Sequence, residues 1–219
     1  MVINLENIIF EIEELLKQKD EKREILIINS REIIRKSGNA ILAFHKKDLD
    51  KAMKLLDQAK KLLEDSLNIC NQFPEYKHTG PLPQAMQEYA EAIITISLIK
   101  DGKLPSPKDI GITIESYLTG LADSIGEMRR QILDSLREDK IEESEKILRL
   151  MDEIYGLLKN IEYFKNIVPG LKRKIDIIRK IIEETRADIT LAYHGRLIRN
   201  SIKEVEKFEN IKRDFEKSK

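Results

Sequence analysis

Tryptophan is absent from this sequence, cysteine occurs once, at Cys70, and aromatic residues make up only 5%. A lone thiol rules out an internal disulfide, so a cross-linked secreted scaffold is excluded and a reducing cytoplasm is the natural setting. With so few rings, the core must be assembled from Ile, Leu and Ala. Proline and glycine are scarce, six and nine in 219 residues, and they cluster rather than scatter. No cationic start followed by an unbroken apolar run is present, so neither a signal peptide nor a membrane span is expected. Net charge is also missing: 39 Lys and Arg balance 39 Asp and Glu. Indiscriminate coating of nucleic acid or of an anionic membrane is therefore disfavoured, although a locally basic groove is compatible with a neutral sum.

What remains is a long series of helical patterns. Apolar residues recur at helical spacing from about Asn4 to Lys47, for example at Ile25, Ile28, Ile33, Ala40 and Phe44. Asp48 is placed to cap a second helix reaching about Gln72. Phe73 to Pro83, with two prolines and Gly80, reads as a loop. A third helix then ends near Asp101-Gly102. Ser106 and Pro107 open one short turn that Gly111 closes, and Thr113 can cap a long helix through Leu136. Asp139 to Tyr163 reads as another helix, and Pro169-Gly170 begins the last, running at least to Leu191. No strand pattern and no repeat is present. The expectation is an all-α, single-domain bundle of about seven helices over residues 1–219.

Two stretches lack basic residues altogether. Between Lys77 and Lys100 the only acids are Glu88 and Glu91, in "QAMQEYAEAIITISLI" (84–99). Gln84, Gln87, Glu88, Glu91 and Thr95 form one narrow polar stripe on an otherwise apolar helix. A solvent-facing stripe in this chain would carry Lys. Residues 110–128, "IGITIESYLTGLADSIGEM", likewise hold no Lys or Arg, and Asp123 and Glu127 share a helix face four residues apart. Glu91 lies about ten residues, or ~15 Å, before the connector, and Asp123 about as far beyond the Thr113 cap. In an antiparallel hairpin the two pairs sit at one level. Four converging carboxylates in an apolar setting need compensation: protonation, Arg or Lys from elsewhere, or a divalent cation, for which hard oxygen ligands favour Mg²⁺ or Mn²⁺. The bland alternative is a solvated face with ordinary surface acids.

The stretches "REIIRKSGNAILAFHKKDLDKA" (31–52), "QEYAEA" (87–92), "YLTGLADSIGEMRR" (117–130) and "LKRKIDIIRKIIEETRADI" (171–189) resemble the translin/Trax family, from about residue 20 to 195. The resemblance implies a seven-helix protomer that assembles into a hollow shell, near a homo-octamer, enclosing single-stranded RNA or DNA. Trax-type members also cut RNA with metal-dependent acids in the Gln-Glu-x-x-Glu-Ala and Gly-x-Ala-Asp-x-x-Gly-Glu blocks. Those positions are Glu88, Glu91, Asp123 and Glu127, the same four that their isolation from Lys and Arg picks out. The resemblance thus implies an endoribonuclease with Mg or Mn held by these four, and leaves open whether a second, translin-type chain is needed.

Such a nuclease needs a sequence-independent grip on phosphate. Arg23, Arg31, Arg35 and Lys36 cluster on the first helix, with His45 at its end; Arg129 and Arg130 follow Glu127, and Arg173 and Lys174 belong to another basic run. Each is a candidate nucleic-acid contact, against the plainer reading of a solvated or salt-bridged surface residue. The contrasting functional class is a translin-like shell that holds single strands without cutting. A ferritin-like carboxylate bundle is set aside, because no His lies three residues after any of the four acids.

Overall fold

A computed structural model describes residues 4–164 and 166–217. Seven α-helices are found among them: α1 (Leu5–His45), α2 (Leu49–Gln72), α3 (Leu82–Asp101), α4 (Pro107–Ile110), α5 (Ile114–Arg137), α6 (Ile141–Asn160) and α7 (Leu171–Lys217). No strand occurs among the described residues, and none of their helices is long and apolar enough to cross a membrane.

Local chemistry sets the boundaries. Asp48 Oδ1 accepts the Lys51 amide at 3.1 Å and starts α2. Ser106 and Asp109 form a reciprocal capping box around α4, and Gly111, at φ 71°, closes it in the left-handed region. Thr113 Oγ1 accepts the Ser116 amide at 3.3 Å at the start of α5. Two boundaries differ from the sequence reading, and the last helix, expected to reach at least Leu191, does so. Pro74–Lys77, inside the expected loop, forms a 3-10 turn, and α3 begins at Leu82, where Pro83 falls in the first turn and its missing N–H costs nothing. The sixth helix is Ile141–Asn160 rather than 139–163, because Asp139 takes a left-handed φ of 59° and Glu162–Phe164 forms a separate 3-10 turn. The last helix continues well past Leu191, to Lys217.

The chain divides into two compact units, Met1–Ser124 with Glu162–Lys174, and Ile125–Ile161 with Ile175–Lys219. In the first, α1 packs along α2 and α3. Its core includes Ile33, Ala40, Leu56, Leu63, Leu82, Met86, Tyr89 and Ile94, all at most 2% exposed. Tyr89 is the most deeply buried ring there, at 1% exposed, and its surroundings push the phenol up to about 12, chiefly through burial. The second unit is built on Ile125, Met128, Ile132, Met151, Leu158, Ile175, Ile178 and Ile182. Its buried hydroxyls are satisfied locally: Ser144 donates to the Lys140 carbonyl at 3.1 Å and Thr185 to the Ile181 carbonyl at 2.6 Å.

Both chain ends carry uncovered apolar side chains. Leu5, Ile8, Ile12 and Leu15 repeat at heptad spacing on α1, with Phe10 63% exposed beside them. Leu191, Ile198, Ile202, Val205 and Phe208 stand exposed along the end of α7.

Candidate functional site

The first unit brings α3 against α5 at the level of the expected acids, and a glycine makes this possible. A Cβ built on Gly120 would lie 2.6 Å from Ala90 Cβ, 2.6 Å from the Gln87 carbonyl oxygen and 3.0 Å from the Glu91 nitrogen. The two helices therefore touch backbone to backbone, between Gln87 and Glu91 on one side and one turn before Asp123 on the other. Above this contact Ser116 Oγ donates to the Pro83 carbonyl at 3.0 Å, and Tyr117 donates to the Pro105 carbonyl at 2.8 Å. These bonds fix α5 to the start of α3 and to the connector.

Around that contact the polar groups gather on Asp123. Gln87 Nε2 donates to Asp123 Oδ2 at 2.8 Å. Lys174, from the first turn of α7, donates to both carboxylate oxygens, 2.7 Å from Oδ2. Both side chains of this ion pair are about a quarter exposed. Glu88 is half-buried nearby. Burial, and next the negative charge of Asp123, hold its carboxyl above the ordinary carboxylate range, while the Lys174 ammonium pulls the other way. Glu91 is also half-buried on the same stripe. The compensation for Asp123 thus comes from Lys174, a cation 51 residues away in sequence, one of the three routes open to converging acids.

Glu127 lies one turn beyond Asp123 on α5, in the second unit, with Arg130 Nη1 3.8 Å from its carboxylate. Among the described residues no three His, Cys, Asp or Glu side chains stand close enough to form a ready metal cage. The donor chemistry at Glu88 and Asp123 nevertheless fits a hard divalent ion: both offer carboxylate oxygens and both are partly withdrawn from solvent.

The expected phosphate contacts divide into two groups. Arg31 and Arg173 are exposed and make no ion pair among the described residues. Arg23 is exposed beside Glu24, at 3.3 Å, and Arg130 is exposed beside Glu127. The others are committed within the fold. Arg35 grips Glu32 through two hydrogen bonds of 3.1 and 2.6 Å, and Lys36 donates to Gln58 at 2.8 Å. Arg129 donates to Thr185 at 2.8 Å and pairs with Asp188 at 2.9 Å. Lys174 is held by Asp123. His45 is half-buried in edge contact with Phe44. Sequence reading puts Gln87 on the polar stripe and Gly120 at the start of the Gly-x-Ala-Asp-x-x-Gly-Glu block, but gives neither a role in the site. A glycine in the middle of an amphipathic helix is the available signal for close helix approach.

An all-helical chain with carboxylates paired across an α3–α5 contact is thereby defined, and comparison with known proteins gives its lineage. The sequence profile of the Translin family matches residues 21–187, and the chain belongs to that family. It is 36% identical over 197 residues to an uncharacterised protein of Methanocaldococcus jannaschii, covering 87% of this chain and 85% of the relative. It is 22% identical over 202 residues to the translin-associated protein X homolog of Schizosaccharomyces pombe, covering 86% of each. Among solved structures, that of AfC3PO in complex with duplex RNA superposes with a TM-score of 0.80 at 31% identity, covering 86% of this chain and 98% of the other. The structure of apo-NeC3PO gives 0.77 at 26% identity, covering 88% and 98%.

Proposed function

We propose that this chain is a metal-dependent endoribonuclease that binds single-stranded RNA inside a closed homo-oligomer, near an octamer, in the cytoplasm. RNA binding is supported by the AfC3PO relative, whose structure is a complex with duplex RNA. The observation that carries the catalytic reading is geometric: the close α3–α5 contact at Gly120 brings the Glu88 stripe to Asp123, where Gln87 and Lys174 already converge. Glu91 on the same stripe, and Glu127 further along α5, are the other two acids that the sequence nominates. Gln87 orients Asp123 through Oδ2, and Lys174 neutralises it until a stronger cation arrives. Mg²⁺ or Mn²⁺ bound by these oxygens would supply an activated water and a counter-charge for the phosphate. Arg31 and Arg173, exposed and without an acid partner among the described residues, contact the strand's phosphates.

A second reading, binding without cleavage, is favoured by one observation: Asp123 already has its cation in Lys174. The two are separated by incubating labelled single-stranded and duplex RNA with purified protein in Mn²⁺ or Mg²⁺, then in excess EDTA. Metal-dependent cutting of the single strand that Glu88→Gln abolishes, with binding retained, is the expected result. Tight binding with no cutting under any metal would establish the second reading instead.

A further inference from the structure

Beside Gln87, the first unit contains an open cavity of about 480 Å³, a volume in the range of small-molecule sites. Its polar lining includes Lys77, His78, Gln84 and Glu115, and Ile167 gives it an apolar wall. None of these four polar side chains has a hydrogen-bond or ion-pair partner among the described residues. His78 and Gln84 are exposed at its mouth, whereas Lys77 and Glu115 are half-buried in it, so these two lose solvent without gaining a protein partner among those residues. Gln87 joins this cavity to the acids: its side chain lines the wall while its amide donates to Asp123.

We propose that this cavity seats one nucleotide of the bound strand, beside the Glu88 and Asp123 carboxylates; the proposal rests on the RNA-binding reading above. The lining selects the ligand class. A bare inorganic anion would suit Lys77 and His78 but would meet the Glu115 carboxylate. A nucleotide offers what the mixed lining needs: a base edge with both donors and acceptors for Gln84 and Glu115, an apolar base face for Ile167, and a phosphate for Lys77 and His78. The uncommitted groups are those that read or position a base, so the cavity would bias where along the strand cleavage falls.

The test uses the full chain in EDTA with a fluorescent single-stranded oligoribonucleotide, wild-type protein, Lys77→Ala, Gln84→Ala, and Lys108→Ala as a control for general loss of charge. The first two variants are expected to weaken binding about two- to tenfold, the range of one missing hydrogen bond, with the control, oligomer size and melting temperature unchanged. A 4-thiouridine-substituted strand is expected to crosslink to peptides spanning residues 77–87 or 113–119. Wild-type affinity in both cavity variants, or crosslinks only elsewhere, overturns the proposal even if the protein cuts RNA. Binding and crosslinking as expected without any cleavage would defeat the nuclease reading and leave this site standing. A wild-type protein that binds no RNA defeats both.

Discussion

Lys174 closes on Asp123 across 51 residues of sequence, donating to both of its carboxylate oxygens. The pair has neither the burial of a core ion pair nor the freedom of a surface one, since each side chain is about a quarter exposed. Lys174→Met should therefore cost about 1–2 kcal/mol in the metal-free protein, less than the loss of a fully buried partner. It leaves Asp123 and Glu88 facing each other without a cation, so Mn²⁺ should raise the melting temperature of this variant more than that of the wild type. Equal metal-induced shifts would show that Asp123 takes no part in metal binding.

Glu88 makes a prediction in pH. Its carboxyl is held above the ordinary range, chiefly by burial and then by Asp123, so the folded state binds this proton more tightly than the unfolded state. Stability is then lost as pH rises past about 4.3, the ordinary glutamate value, towards the raised one. Glu88→Gln removes that loss. Without metal, its melting temperature should match the wild type in acid and exceed it at neutral pH. A gap that stays constant across this range would contradict the coupling.

Gly120 predicts the reverse of helix propensity. Alanine in a helix interior normally gains up to ~1 kcal/mol over glycine. Here the added methyl meets the Gln87 carbonyl and Ala90 at 2.6 Å, and backbone cannot step aside as a side-chain tip can. Gly120→Ala should destabilise by about 1–3 kcal/mol, as overpacking does, and should weaken metal binding by prising the acids apart. Chemical denaturation checks it, and an unchanged or higher midpoint would refute it.

The two kinds of arginine should separate cleanly. Arg31→Ala removes an exposed charge with no acid partner among the described residues. It should lower the salt dependence of single-strand binding by about 0.7 in log–log slope for each phosphate left without its counter-charge. Arg129→Gln instead breaks the links to Thr185 and Asp188. It should lower the melting temperature and leave that slope alone. Salt titration of both variants, read beside their thermal melts, decides the assignment.

How much of this is visible in the sequence depends on range. Asp48, the Ser106–Asp109 box and Gly111 cap helices within a few residues of themselves, so their roles can be read directly. The level of the acids is accessible to within one turn: the spacing sets Glu91 opposite Asp123, whereas Gln87 and Glu88 are the residues that reach Asp123. Lys174 reads as a phosphate contact, since nothing local reveals that its ammonium lies on Asp123. Arg129 misleads in the same way: its partners Thr185 and Asp188 sit on α7, 56 and 59 positions further along. Asp139 reads as helical because a left-handed aspartate carries no distinctive neighbour in sequence.

The uncovered apolar residues at the two chain ends have a colloidal consequence. They fall on either side of the family-matched span of residues 21–187 or at its edge, and the chain as a whole has a formal net charge of zero. Charge repulsion is what ordinarily keeps sticky copies of a protein apart, and here none acts at neutral pH. With no net repulsion to screen, a salting-out salt such as sulfate should strengthen contact between these greasy ends. Copies of this chain in neutral buffer meet with nothing but water between them.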